Sequence, residues 1–402
     1  MRIIYTHQYF NTPSMSGGTR SYEIARRLVT AGHKVHMITS DRRSKNSGDW
    51  YHTAEEGIHV HWLPVPYGNA MPYHKRIKAF LNYAAKAGPY ASRFKADVIF
   101  ATSTPLTIAL PAIYASKRLK IPMVFEVRDL WPELPIAVGA LKGPLIPPAR
   151  WLERFAYKNS SEIVALSPGM KEGVVRAGYP SEHVHVIPNS CDVDLFQVPS
   201  EVGAAFRKRF PWLDNRPLVI YAGTFGRING VGYLARLAAE TRKLAPEVCF
   251  LAVGDGYEFD MVTRLSRELG VLNQNFFVMP QLPKSEMPAL FSAATISTST
   301  VIDLPQMWAN SANKFFDSLA SGRPVAINYA GWQADLIKET GAGLVLPPKD
   351  LPGAARLLIS ALNNKNWLKK AGKAALALAR DRFDRDLLAK QLEAVLLKAV
   401  HK

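Results

Sequence analysis

Cysteine is scarce in this chain. Two residues, Cys191 and Cys249, stand far apart and in no metal-binding spacing among 402. That argues against a disulfide framework and fits a reducing compartment. Long apolar runs are also missing, since none approaches the ~20 residues needed to cross a bilayer. The opening Met-Arg-Ile-Ile-Tyr-Thr-His is too short and too polar for a secretion signal. The expectation is a cytoplasmic protein, or one peripheral on the inner face of the cytoplasmic membrane. Negative charge is in short supply, with 33 acidic residues against 50 lysines and arginines and a net charge of +17. Such an excess favours a polyanionic partner: nucleic acid, an anionic membrane surface or phosphorylated substrates. Zinc-finger spacing, an RNA-binding sheet motif and a helix-turn-helix pattern are all lacking, so nucleic acid is the weakest of the three.

What is present is the material of folded α/β domains. Hydrophobic residues make up 48% of the chain, and its length is large for a single core, which predicts two domains. Residues 2–6 read as a short apolar strand, followed by His7-Gln-Tyr-Phe and then Ser16-Gly17-Gly18-Thr19-Arg20. A helical pattern follows through Tyr22, Ala25, Leu28 and Val29, stopping at Gly32, and 35–39 form the next strand. Strand, glycine-rich loop, helix, strand is how a nucleotide-binding fold opens. The G-x-G-x-x-G fingerprint is not met. Gly17 and Gly18 therefore either bring the backbone close to a ligand or simply make a strand-to-helix turn.

Residues 58–62 alternate as an edge strand, with His59 and His61 on one face. Without a third ligand they read as surface histidines rather than a metal site. Residues 73–87 form a basic amphipathic helix, with Ile77, Phe80, Leu81 and Ala84 flanked by Lys75, Arg76, Lys78 and Lys86. It suits a membrane interface or the cover of a sheet. The strand 123–127 ends in Arg128-Asp129-Leu-Trp-Pro-Glu133, where open α/β sheets bind ligands. Arg128 can meet an anion there, and Asp129 can take a proton or hold a hydroxyl. After Ile187-Pro-Asn189 and Asp192 the composition shifts to Pro, Ser, Glu and Gly. This places the boundary near Pro199, with domains 1–198 and 199–382 and a last amphipathic helix over 383–400.

The second half restarts the alternation. Residues 218–222 feed Gly223-Thr224-Phe-Gly226-Arg227, and 248–253 feed Gly254-Asp255-Gly256. A short strand leads to Pro280. The architecture expected is two doubly wound domains with a cleft between them. Within the stretch 309–328, Ala312, Phe315, Phe316 and Leu319 fall at helical spacing, with Asn310 and Ser311 as caps and Gly322 as the stop. Unpaired N–H groups at that helix's start, with Lys314, make a phosphate site, and Asp317 one turn on can accept hydroxyls. An ordinary helix with solvated Lys314 and Asp317 is the alternative.

Taken in order, these motifs resemble glycosyltransferase family 4. They are Gly17-Gly18-Thr-Arg, Phe125-Glu-Val-Arg-Asp-Leu-Trp-Pro-Glu133, Ala165-Leu-Ser-Pro-Gly-Met170, Ile187-Pro-Asn189, Tyr221-Ala-Gly-Thr224, Gly254-Asp-Gly256 and Asn313-Lys-Phe-Phe-Asp317. The branch they suggest holds bacterial polysaccharide enzymes, including N-acetyl-L-fucosaminyl transferases. The resemblance implies a GT-B fold and retaining transfer from a nucleotide sugar without a metal or other cofactor. It implies a UDP-linked donor, with an N-acetylated amino-deoxy sugar within range, and an O-antigen- or capsule-like glycan acceptor carried on a lipid diphosphate. By the same resemblance the first domain holds the acceptor, the second the donor, and the last helix returns to the first domain. The donor set it implies is Gly17, Gly18, Gly223, Thr224, Arg227, Gly254, Asp255, Pro280, Asn313, Lys314 and Asp317.

This chain departs from the pattern in several places. Thr224 and Asn229 stand where relatives carry Arg and Lys, Ala309 and Asp317 where they carry a pair of glutamates, and Arg128-Asp129 where a histidine is usual. Lys314, its helix amides and Arg227 are then the cations left for the diphosphate, and His7, Arg128, Asp129 and Lys314 are the catalytic candidates. Two rivals are a sugar-nucleotide 2-epimerase of the same fold, whose carboxylate and histidine cluster is not seen, and a basic nucleic-acid-binding scaffold.

Overall fold

The computed structural model describes residues 1–15, 17–44, 48–68 and 71–402, with the side chain of Tyr73 left aside. Ser16 of the glycine-rich loop and residues 69 and 70 lie outside the described set. The chain forms two compact units, Met1–Pro188 with Arg385–Lys402, and Asn189–Asp384.

The first unit is built on eight strands: β1 (Arg2–Thr6), β2 (Lys34–Asp41), β3 (Tyr51–Glu55), β4 (Ile58–Pro64), β5 (Val98–Thr102), β6 (Met123–Val127), β7 (Glu162–Ala165) and β8 (Val184–Val186). Their order is β3-β4-β2-β1-β5-β6-β7-β8, and all are parallel except the outermost β3. The central strands read as unbroken apolar runs because helices cover both faces, and Val-Ile-Phe-Ala-Thr of β5 is buried throughout. Chain order reverses between β1 and β5, and that is where an open parallel sheet leaves a crevice beyond its strand ends.

The second unit repeats the plan with β9 (Leu218–Ala222), β10 (Cys249–Val253), β11 (Phe276–Met279), β12 (Ile296–Ser299), β13 (Val325–Ile327) and β14 (Gly343–Val345). The order is β11-β10-β9-β12-β13-β14, every pair is parallel, and the reversal falls between β9 and β12. Its core joins Val219, Tyr221 and Phe250 of the sheet to Leu234, Ala238 and Leu358 of the covering helices.

Several elements differ from the sequence reading. Residues 189–198 belong with the second unit, because their hydrogen bonds are made there. Asn189 pairs with Ser311, and the Gln197 amide donates to the carbonyl of Ala320. Phe383 also stays in that unit, stacked edge-on against Phe316. The last helix, Arg385–Val400, packs on the first unit through Leu388, Leu392, Val395 and Leu396, with Glu393 paired to His33 at 2.7 Å and Lys398 to the buried Glu162 at 3.3 Å.

His61 is no surface histidine. It is buried, its Nε2 lies 3.1 Å from Nδ1 of His36, and its Nδ1 lies 3.2 Å from the Tyr90 hydroxyl. His59 stacks on His36. Burial, followed by neighbouring positive charge, lowers both His36 and His61 to about 4. Among the described residues no group of three ligands able to hold a metal ion forms here or elsewhere.

Candidate functional site

Each unit carries its candidates at the carboxyl ends of its parallel strands, on either side of the order reversal. In the first unit His7 follows β1, Ser103 follows β5, and Arg128-Asp129 follow β6. The backbone N–H of Arg128 donates to the Ser103 hydroxyl at 2.9 Å, and its guanidinium lies 3.5 Å from Nε2 of His7. His7 is buried, and its Nδ1 has no hydrogen-bond partner. Burial first, and the charges of Arg128 and Arg42 second, hold it well below the usual histidine range, so it is a neutral imidazole. Asp129 is half-buried, and burial raises its carboxyl to about 6 against the opposing charge of Arg128. The structure thus brings together His7, Arg128 and Asp129: one permanent cation beside a neutral imidazole and a carboxyl that titrates near 6.

The glycine-rich loop is held beside this edge. Gly17 adopts φ +119°, and a Cβ there would lie 2.8 Å from the Asn11 amide nitrogen. That amide donates to the carbonyl of Gly18 at 3.3 Å, and its oxygen accepts from Arg42 at 2.9 Å. Asn11 and Arg42 join Phe10, Asp41 and Trp62 around a pocket of about 280 Å³. Behind the loop, Arg20 forms a fully buried ion pair with Glu126 at 2.8 Å, and also donates to the carbonyls of Ile187 and Pro188. Both residues stand inside motifs of the sequence, Gly17-Gly18-Thr-Arg20 and Phe125-Glu126, but no local pattern links the two. A glutamate in the middle of a buried strand is the signal, since a buried carboxylate needs a partner.

In the second unit the loops after β9, β10 and β11 are zipped edge to edge by backbone hydrogen bonds. Gly223 donates to Val253, Phe225 to the carbonyl of Asp255, and Gly254 to Met279 just before Pro280. A Cβ on Gly254 would fall 1.8 Å from the carbonyl oxygen of Gly223, so only glycine allows this approach. Thr224 and Asp255 are exposed, and the Thr224 carbonyl accepts from the Tyr221 hydroxyl at 2.7 Å.

Across the β9/β12 reversal stands the helix Asn313–Ala320. Its Lys314 is buried. The ammonium donates to Oδ1 of Asn229 at 3.1 Å and lies 5.3 Å above the ring of Tyr221, and the side chain passes beside Gly223. Burial lowers its pKa to about 8. Asn229, expected only as the place of a missing cation, is therefore the residue that aims the remaining one.

Asn310 and Ser311 do not cap this helix. The Asn310 oxygen accepts from the N–H of Ala312, and the Ser311 hydroxyl accepts from Asn189. The N-cap position falls to Ala312, and no side chain caps the first turn. Asn313 is exposed at that turn and Asp317 is half-buried further along the helix. Arg227 is exposed on the 3₁₀ turn Arg227–Asn229.

Residues 17–190 match the model of the glycosyl transferase 4-like domain, and residues 204–377 match that of glycosyl transferases group 1. The alpha-D-kanosaminyltransferase of Streptomyces kanamyceticus is 22% identical over 62% of this chain and 63% of its own length. The chain thus spans a little under two thirds of that relative. Among solved structures, the sucrose-phosphate synthase of Thermosynechococcus elongatus superposes with TM-score 0.80 at 16% identity, over 99% of this chain and 98% of that one. HepE of Anabaena, in complex with UDP and glucose, gives 0.75 at 18% identity over 99% and 100%. Two matched domain models, one in each unit and each on its own doubly wound sheet, show that the chain belongs to the GT-B glycosyltransferases of family 4.

Proposed function

We propose that the chain transfers a sugar, with retention of anomeric configuration, from a UDP-linked donor to a surface-polysaccharide precursor carried on a lipid diphosphate. The observation that carries this reading is the Lys314 ammonium, buried over Tyr221 and steered by Asn229 at the β9/β12 reversal. A cation in a desolvated site beside an uncapped helix start is suited to the two phosphates of a nucleotide diphosphate leaving group. HepE, of the same fold, is described in complex with UDP and glucose, and the ordered set of motifs along the chain resembles that of the polysaccharide branch.

In the proposed step the acceptor oxygen bonds to the anomeric carbon while the bond from that carbon to the β-phosphate oxygen breaks. The acceptor proton passes to the departing diphosphate. Lys314 and the amides of Asn313 and Lys314 stabilise the charge that gathers on that group, with no metal ion in the role. The half-buried Asp317 holds the ribose hydroxyls. Gly223, Thr224, Gly254, Asp255, Pro280 and Arg227 line the donor. His7, Arg128 and Asp129 position the acceptor, with the 280 Å³ pocket beside Trp62 as its sugar subsite.

The test pairs binding with turnover. UDP should raise the melting temperature more than GDP or ADP does, and Lys314→Ala should lower kcat by roughly 100-fold or more. Asp129→Asn should raise KM for the acceptor. Near-normal turnover of the Lys314 variant removes the proposed role of the lysine, and an epimerised product from donor alone would convert the reading to a 2-epimerase.

A further inference from the structure

A second candidate site lies in the second unit at the opposite end of its sheet. A pocket of about 560 Å³ is bounded by Thr295, which precedes β12, and Pro324, which precedes β13. The glycine loops and Lys314 sit at the carboxyl ends of those strands, so the length of the sheet separates the two places. The pocket is within the roughly 300–1,000 Å³ of small-molecule sites.

Its lining carries four cations, Arg207, Arg323, Lys369 and Lys373, and no acidic residue. Arg323 is half-buried. One of its terminal nitrogens donates to the carbonyl of Ser292, while its buried Nε has no hydrogen-bond partner. Arg207 is fixed on carbonyls alone, from Nε to Ala293 at 3.1 Å and from its terminal nitrogens to Asp214 and Arg216 at 3.0 Å. Among the described residues neither guanidinium forms a salt bridge. Burial, then the neighbouring charge of Arg207, lowers the pKa of Arg323. Burial also lowers that of Arg207, opposed by Cys249, which is charged only above about pH 11, and by Asp214. Lys369 and Lys373 are exposed at the mouth and stand four residues apart on the helix Lys365–Arg382, so they share a face.

Two half-buried guanidiniums thus stand at one pocket with no salt bridge among the described residues, Arg207 feeling only the field of Asp214, and such partly desolvated like charges are unfavourable together. A fold that keeps them there, around a cavity with lysines at the rim, offers what a phosphate group requires: planar guanidinium donors inside and mobile ammonium groups outside. We propose that this pocket binds a small phosphorylated molecule of the sugar-phosphate class, at a site independent of the nucleotide sugar. Arg323 meets the phosphate, Lys369 and Lys373 close over it, and Ser292 and Ser321 face the uncharged part.

The experiment titrates glucose 6-phosphate, inorganic phosphate and glucose into the full chain by calorimetry, with UDP absent and at saturation. Both phosphate probes should bind whether or not UDP is present, and glucose should not. Arg323→Gln should weaken phosphate binding by roughly 10- to 100-fold, the loss of a charge-assisted hydrogen bond, while the heat of UDP binding is unchanged. Should Arg323→Gln fold poorly, the exposed pair Lys369→Glu and Lys373→Glu supplies the same comparison. Lys314→Ala should leave phosphate binding intact, which separates this site from the donor site even if UDP proves to be the wrong nucleotide. The proposal is overturned by competition with UDP, by loss of binding in Lys314→Ala, by indifference to both the Arg323 and the lysine changes, or by no binding at millimolar probe.

Discussion

At the scale of single residues Lys314 carries the most. Its ammonium is desolvated, and burial brings its pKa to about 8. Two opposite consequences follow. The proposed role needs the protonated form, so kcat/KM for the donor, which reports the ligand-free enzyme, should fall as pH rises through about 8, where an ordinary lysine would hold its charge beyond pH 10. Folding is the reverse case. Between pH 8 and about 10.5 the unfolded chain binds a proton that the folded one does not, so stability increases with pH across that window. Below pH 8 the cost of the buried charge is fully present. Lys314→Met should therefore raise the unfolding free energy at pH 7, by up to roughly 2 kcal/mol once the lost Asn229 hydrogen bond is subtracted, while activity collapses. Urea unfolding at pH 7 and pH 10 measures this, and a variant less stable than the parent at pH 7 would contradict the assignment. The lysine and its place on a helix were legible in the sequence. Its partners were not, because Asn229 lies 85 positions away and no local pattern links the two.

Among the elements, the helix Asn313–Ala320 shows the difference between a pattern and a cap. Helical spacing located it, and Phe315, Phe316 and Leu319 are buried as that spacing requires. The caps were misread because Asn310 and Ser311 are good capping residues by type but are engaged elsewhere. What remains at the N-cap is Ala312, with φ −75° and ψ 130°, a backbone that would suit a capping side chain. Ala312→Asp should stabilise the ligand-free protein by about 1 kcal/mol, as an N-cap does. The same carboxylate would occupy the amides proposed for the diphosphate and repel it. UDP affinity should accordingly fall by roughly tenfold or more. Calorimetric titration of UDP beside thermal unfolding separates the two effects, and unchanged affinity would remove these amides from the donor site. The histidine cluster makes the same point for strands. Alternation along residues 58–62 put His59 and His61 on one face, but the pairing of β4 with β2, which sets His36 beside them, appears only in the fold.

For the molecule as a whole, the sequence made two doubly wound sheets readable because parallel strands are unbroken apolar runs and helices alternate with them. Hydrophobic spacing showed which face of the last helix is buried and not against what, so its return to the first unit was legible only through the family resemblance. The net charge of +17 is likewise a whole-chain property whose use depends on placement. Among the described residues no helix is long and apolar enough to cross a membrane. The helix Tyr73–Ala91 buries Ala79, Tyr83, Ala84, Ala87 and Ala91, which leaves Lys75, Lys78 and Lys86 outward with Leu81 51% exposed. An apolar side chain set among lysines is the arrangement that partitions into an anionic interface. Arg76 is a different case. It donates to the Tyr67 hydroxyl at 3.1 Å and lies over that ring, so reversing it would disturb the loop as well as the charge. The sharper variant is therefore Lys75→Glu, Lys78→Glu and Lys86→Glu. Each lysine near an anionic surface contributes about 1 kcal/mol, so the triple change should reduce partitioning onto phosphatidylserine-containing vesicles by roughly 100-fold or more at low salt. Melting temperature and UDP binding should stay as they were. Sedimentation with vesicles, repeated at raised ionic strength where the parent's binding should also fade, decides the matter. Undiminished sedimentation of the triple variant would move any membrane contact off this helix.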